Sequence, residues 1–415
     1  MHLEAMQQAI QREKLDGWLF YDFRKSNPIA YQALGLPNDA FYSRRWFYFI
    51  PAQGEPAALV SAVESHVLGE LPGQRLVFRT WQEMQAHLQS LLRAGSRVAM
   101  EYSPMNAIPY LSRVDAGTLE LVRSFGVDVV SSANLAQRFG AQLSEAQMES
   151  HREAGRRLIA AKDILFAALG DDLRVGVAID EYSVVQRFVA LIKEAGLVLS
   201  SGDPHVAVNG NASNPHYEPG SSNSSPIRRG DLVLFDFWAR LPEPDAVIAD
   251  YTWMAFAGTR DEIPARQREV FEVVRRARDS AIDFARQRLA VGAGEEKGEV
   301  EGEEKGEVEG EERGEVEGCE VDDAARAVIV EAGYGDYFVH RTGHSIGHVV
   351  HGDGANMDNF ETRDERTLLP STCCSIEPGI YLPEFGIRSE VNMLIHQYDV
   401  EVTGVPVQEE IVPLL

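Results

Sequence analysis

The spacing of hydrophobic positions changes character near residue 144. Before that point, short apolar runs alternate with helical patterns. An amphipathic stretch over about 2–14 leads to the runs GWLFYDF, RWFYFIPA and AALVSA, which read as strands. TWQEMQAHLQSLLRAG repeats its apolar residues three and four apart and predicts a helix, while SRVAMEY and VDVVSS predict short buried strands. Strands alternating with helices imply an α/β layer domain over residues 1–140. No glycine-rich phosphate loop follows any of these strands, so the segment reads as structural. From Ser144, a capping residue, a long amphipathic helix is predicted, and a second covers about 179–195. Then come DPHVAVNGNASNPHYEP, the strand DLVLFDFWA, a proline-rich turn and the strand AVIADYTWMAFAG. Helices over about 262–290 and 321–332 precede the closing strands STCCSIEPGIY and GIRSEVNMLI. Helices grouped around antiparallel sheet make residues 144–415 an α+β domain.

Two predicted hairpins place acidic residues on strands too apolar to be solvated. LVLF runs directly into Asp236, and Asp250 stands in AVIADYTW. A turn centred on Glu243 sets 236 opposite 250, with Cβ atoms about 5 Å apart. In the second hairpin, a turn between Pro383 and Glu384 sets Glu377 opposite Glu390. Opposed buried anions are destabilising unless they share a proton or a cation lies between them.

Four of the eleven histidines crowd into HRTGHSIGHVVHG: His340, His344, His348 and His351. The four-residue spacing of His344 and His348 is that of a zinc-protease helix. However, Ser345 stands where that motif needs its glutamate, and Gly343 and Gly347 oppose a helix. Four carboxylates and a histidine instead suit two divalent ions. Oxygen donors in that ratio favour Mn(II), with Zn(II), Co(II) and Fe(II) as the other candidates.

Composition narrows the setting. The 415 residues carry a net charge of −25, which argues against nucleic acid and anionic membrane as partners. Three tandem repeats at 295–318, EEKGEVEG, EEKGEVEG and EERGEVEG, supply −9 of that charge and leave −16 on the rest. Glycine at every fourth position and one valine per repeat predict a disordered acidic insertion. Three cysteines form no disulfide framework, and Cys373 and Cys374 read as buried strand residues. The opening MHLEAMQQAIQREKLDG has no signal-peptide core and no run is long enough to span a membrane, so a cytoplasmic protein is expected.

In order, DLVLFDFWA…ADYTWMAF, HRTGHSIGHVVHG, SIEPGIY and GIRSEVNMLI resemble the pita-bread metallopeptidases, which include aminopeptidase P, prolidase and, more distantly, methionine aminopeptidase. Residues 144–415 correspond to the pita-bread catalytic domain, and 1–140 resemble the creatinase-type amino-terminal domain of the first two. The resemblance implies a dinuclear peptidase that cleaves before proline, as an Xaa-Pro aminopeptidase or Xaa-Pro dipeptidase, and a homodimer or homotetramer. It implies that Asp236 binds one metal, His344 and Glu377 the second, and Asp250 and Glu390 both. His351 matches a histidine that stabilises the tetrahedral intermediate, and His216 a second histidine at the substrate. Glu377 is the expected proton acceptor, Arg388 a support behind the ligands and His340 a pocket-wall residue. Arg363 lies fourteen before Glu377, where prolidase grips a dipeptide carboxylate.

The chain departs from the family in three places. Phe237-Trp238 replaces the usual glycine after the first aspartate, the Asp236–Asp250 spacing is three longer, and DYTWM replaces DxTRT. Two alternatives stand beside the peptidase reading: an amidohydrolase acting on a small modified amino acid, and a non-catalytic binding module. Intact ligands disfavour the second.

Overall fold

A computed structural model describes residues 3–37, 42–291 and 314–415. The chain divides into two compact units, Met1–Gly140 and Ala141–Leu415.

The first unit is a six-stranded mixed sheet flanked by helices. Its strands are β1 (Gly17–Asp22), β2 (Trp46–Pro51), β3 (Ala57–Ser61), β4 (Gln74–Phe78), β5 (Arg97–Met100) and β6 (Asp128–Ser131), in the order β4-β3-β2-β1-β5-β6. The helices are α1 (Leu3–Arg12), α2 (Pro28–Leu34), α3 (Trp81–Leu91), α4 (Ala116–Ser124) and α5 (Ala133–Gly140). β1 is apolar up to its last residue, Asp22, because both its faces are covered. Trp18 and Phe20 pack with Met6, Ile10 and Tyr31, while Leu19 and Tyr21 pack with Met84, Leu88 and Val122. Sequence patterning passes over α2, although its signals are present: Asn27 accepts the Ala30 N–H, Pro28 opens the first turn and Gly35 closes the helix at φ 65°.

The second unit begins with α6 (Glu145–Val175), whose start is fixed by a reciprocal cap between Ser144 and Gln147. There follow β7 (Ile179–Asp180), α7 (Glu181–Glu194), β8 (His205–Val208), β9 (Pro226–Ile227), β10 (Leu232–Ala239), β11 (Ala249–Phe256) and α8 (Ala265–Leu289). The second half holds α9 (Gly318–Glu331), β12 (Ser345–Ile346), β13 (Thr372–Ile376), β14 (Gly379–Leu382), β15 (Phe385–Arg388), β16 (Val391–Ile395), β17 (Val400–Thr403) and β18 (Val412–Pro413). Two four-stranded sheets result, β18-β11-β10-β8 and β12-β13-β16-β17, with β14-β15 and β7-β9 as separate two-stranded ribbons. Helices cover these paired sheets in the pita-bread arrangement.

Period-two alternation sorts the strands. Odd positions on β10 (Val233, Phe235, Phe237) pack with α6 and α7, while Leu232 and Leu234 face the core built on α8 and α9. Asp236 continues the even face.

Three expectations need correction. The β10–β11 turn is centred on Pro244, so Asp236 lies opposite Thr252, and Asp250 opposite Trp238. The slip is two residues and therefore preserves faces: the aspartates become diagonal neighbours on one side. The closing segments are also not two continuous strands. Pro378 cannot donate to a ladder, so STCCSIEPGIY breaks into β13 and β14, and GIRSEVNMLI into β15 and β16. The pairing sum is the same on both sides of the break, which keeps 377 across from 390. Finally, most of the acidic repeat region lies outside the described residues, but its last residues, 314–318, are ordered. Val316 is fully buried and its carbonyl accepts the Leu368 N–H, and Glu317 caps α9. α9 therefore starts inside the third repeat. Cys373 and Cys374 are free and buried.

Candidate functional site

The break between β13 and β14 frees backbone groups that tie three segments together. Glu377 donates its N–H to the Thr342 carbonyl, and Glu390 donates to the Thr252 carbonyl of β11. Asn392 then bridges to Asp250, accepting its N–H at 2.8 Å and donating to its carbonyl at 2.7 Å. Arg278, fully buried on α8, donates to Ser389 Oγ at 2.8 Å and holds the residue beside Glu390. These bonds turn Asp236, Asp250, Glu377 and Glu390 toward one cavity of about 650 Å³, which His344 and His351 also line. That size suits a small molecule or short peptide.

Ligand-type atoms of Asp250, His344 and Glu390 all lie within 4.8 Å of one another. His344 Nε2 stands 3.3 Å from Glu377 Oε1 and 3.8 Å from Asp250 Oδ2. Its Nδ1 lies 3.1 Å from the Ser345 carbonyl, which aims Nε2 at the carboxylates. Ser375 Oγ accepts the His344 N–H at 2.9 Å and donates to Glu377 Oε1 at 3.0 Å.

Charge is unevenly balanced here. Arg388 Nη2 contacts Asp236 Oδ2 at 2.5 Å. Burial pushes Asp236 up, but Arg388 and then His205 hold it down at about 2. Asp250 is held well above the carboxylate range by burial and then by the charges of Asp236 and Glu377. Glu390 is raised in the same way, by burial and then Asp250. Thr252 Oγ1 donates to Glu390 at 2.8 Å and accepts from Arg388 Nε at 2.9 Å, but it adds no charge. Asp250 Oδ1 is buried without a hydrogen-bond partner. Burial also lowers the His344 imidazole to about 4, keeping it neutral and free to donate its lone pair. The Arg388 guanidinium does not neutralise this many buried carboxylates, and an orphaned carboxylate oxygen beside a neutral imidazole is a donor set that fits a divalent cation.

Other expected residues fall into two groups. His351 lies ring-to-edge with His344, centroids 4.5 Å apart, and His216 is on the exposed rim of the same cavity. His340 is in the wall, with Nε2 2.7 Å from the Tyr381 hydroxyl. Arg363 is not part of this cavity. It is 67% exposed and pairs with Glu365 at 3.1 Å, because its loop turns outward around Asp358. The cavity's own cations are Arg341 and Arg388. Trp238, part of the pair that replaces the usual glycine, lines the cavity, and sequence reasoning passed over His205 and Arg341, which also line it. His205 heads the strand HVAV, and only the β8–β10 register, which sets it opposite Asp236, brings it to the site.

The chain matches the model of Metallopeptidase family M24 over residues 149–298 and 309–397. It is 28% identical over 354 residues to the Xaa-Pro dipeptidase of Lactobacillus delbrueckii subsp. lactis, a match that spans 85% of this chain and 81% of that protein. The structure of dipeptidase PepE from Mycobacterium ulcerans aligns with a TM-score of 0.63 at 21% identity, covering 99% of this chain and 97% of that one. The X-prolyl aminopeptidase from Caenorhabditis elegans, described as a cytosolic enzyme with a di-nuclear active site, aligns with a TM-score of 0.57 at 17% identity, covering 98% of this chain and 62% of that one. With the family model matched across more than half of its length, the chain belongs to metallopeptidase family M24 and is a metal-dependent hydrolase.

Proposed function

We propose that the protein hydrolyses the peptide bond that precedes proline, acting as an Xaa-Pro dipeptidase, with two divalent ions held by Asp236, Asp250, His344, Glu377 and Glu390. The observation that carries this reading is the set of buried carboxylates around the neutral His344, with Asp250 Oδ1 left without a partner. Its dipeptidase half is supported by the Lactobacillus relative's name. Ions bound there supply Lewis acidity and a hydroxide nucleophile near neutral pH. Four carboxylates to one imidazole favour Mn(II).

The chain's own groups do the rest. Asp250 and Glu390 would hold both ions. Glu377 takes the proton of the attacking water and passes it to the leaving nitrogen. Its orientation is fixed by Ser375 Oγ and by its own N–H on Thr342. His351, at the open side of His344, donates to the oxygen of the scissile carbonyl as charge develops on it. His216 holds the substrate from the rim. Arg388 stays bound to Asp236 and limits that carboxylate to one orientation.

The test is hydrolysis of matched Xaa-Pro and Xaa-Pro-Xaa peptides with Mn(II), Co(II) or Zn(II), with metal content measured on the same samples. Preference for the dipeptide supports the reading, and preference for the tripeptide makes the protein an aminopeptidase. Failure on both, with activity on a small modified amino acid, makes it an amidohydrolase.

A further inference from the structure

His205 has no part in the chemistry above, yet it is built into the site. It opens β8 directly opposite Asp236 on β10. Its Nδ1 stands 3.6 Å from Asp236 Oδ2 and is buried without a hydrogen-bond partner. Its Nε2 faces Glu218 Oε1 at 3.7 Å. Trp238 fixes the ring plane from the side, edge-on with centroids 5.1 Å apart. The ring therefore has one nitrogen aimed at a cluster carboxylate and the other at a carboxylate on the cavity rim.

An orphaned buried nitrogen in a native fold calls for a partner. A hydrogen bond to Asp236 is not that partner, since 3.6 Å is too long for one. Two donors on one ion, each about 2.0–2.2 Å from it, stand roughly 3–4 Å apart, and the spacing here falls in that range. Histidines that bind metals through one nitrogen commonly turn the other N–H to a carboxylate; Glu218 lies on that side of the ring, with Oε1 3.7 Å from Nε2, outside direct hydrogen-bond distance. Packing alone would be served as well by an aliphatic side chain at the head of HVAV.

We propose that His205 is a further imidazole ligand, through Nδ1, of the divalent ion held by Asp236. The inference rests on the reading that these carboxylates hold divalent ions. It changes the character of one position only: a nitrogen donor beside the carboxylates shifts that position from Mn(II) toward Co(II) and Zn(II).

The experiment titrates the metal-free full chain with Co(II) and, separately, with Mn(II), following heat and, for Co(II), visible absorption. Wild type is compared with His205→Ala and with His205→Leu, which refills the space without a donor. The expected result is that both variants bind Co(II) at one of two positions about 10–100-fold more weakly, with changed Co(II) absorption. Mn(II) binding falls less, and the second position is unchanged, which also shows that the variants are folded. Unchanged affinities and absorption overturn the proposal. So does an equal loss for Co(II) and Mn(II) with unchanged absorption, because His205 would then act only through Asp236. If wild type itself fails to bind two ions, the dinuclear reading fails first, and that outcome is distinct from either of these.

Discussion

Each of the two units buries carboxyl groups, and they do so in opposite ways. In the first unit Glu101 is fully buried, and neutral donors satisfy it: Trp18 Nε1 at 2.7 Å on one oxygen and Asn27 Nδ2 at 2.6 Å on the other. Burial raises it to about 7. In the second unit burial raises both Asp250 and Glu390, helped by the charges of Asp236 and Glu377 on Asp250 and of Asp250 on Glu390, and Asp250 Oδ1 has no hydrogen-bond partner. A satisfied buried acid ties a fold together, here α2, β1 and the end of β5. A cluster of mutually repelling buried carboxylates with one orphaned oxygen is an arrangement that a bound cation would stabilise. The contrast sets a satisfied structural acid apart from the carboxylates proposed to hold the ions.

The sharpest way to break that comparison is to change one acid of each kind. Asp250→Asn keeps the shape of the cluster and removes a charge that the proposed pair of ions would share. Hydrolysis should fall by more than about a thousandfold and bound metal should drop, as read by turnover and metal analysis of one preparation. Glu101→Gln should leave both unchanged.

Next in size are the two histidines. His344→Ala should lower metal occupancy, whereas His351→Ala should keep both ions and reduce kcat by roughly 100–1,000-fold, the usual effect of losing one oxyanion donor. Metal content after His351→Ala tells them apart: lost metal there, with metal retained in His344→Ala, would reverse the two roles.

Glu101 itself should show in stability against pH. Its folded value of about 7 lies above the ordinary 4.5. Such a group contributes stability that is fully present below pH 4.5 and lost as pH rises through 7. That interval is worth about 3 kcal/mol in the full chain. Denaturant unfolding at pH 4.5 and pH 8 should therefore show a smaller loss for Glu101→Gln than for wild type. Equal losses would mean that Glu101 is not held protonated.

The smallest effect is expected in the acidic repeats. Deleting 295–310 should leave kcat within about twofold and thermal stability nearly unchanged, since the length of a connection between two helices has little effect on stability. Extending the deletion through 318 removes buried Val316 and the Glu317 cap, and should destabilise the chain by about 2–3 kcal/mol in a thermal melt.

What was legible in the sequence followed from local chemistry. Apolar strands carrying Asp236, Asp250, Glu377 and Glu390 gave both hairpins, and the failed zinc-protease motif left His344 free for another site. The register of β10–β11 was not legible. The turn LPEPD admits more than one centre, and here Arg240 fixes it by donating to the Leu241 and Glu243 carbonyls. His205 was not legible either, because its place depends on pairing across about thirty residues of intervening chain. Arg363 was placed by distance along the chain, and distance along a loop does not give direction in space. The ordering of 314–318 escaped because composition treats a repeat as uniform, while Val316 in the third copy meets Leu368 and its earlier equivalents lie outside the described residues.

The most direct test of the central claim is a metal titration of the metal-free full chain, with Xaa-Pro dipeptide hydrolysis assayed at each step. The account predicts two divalent ions per chain, no hydrolysis without them, and recovery of activity as they are restored. Full turnover in the metal-free protein, or saturation without two bound ions, would contradict it.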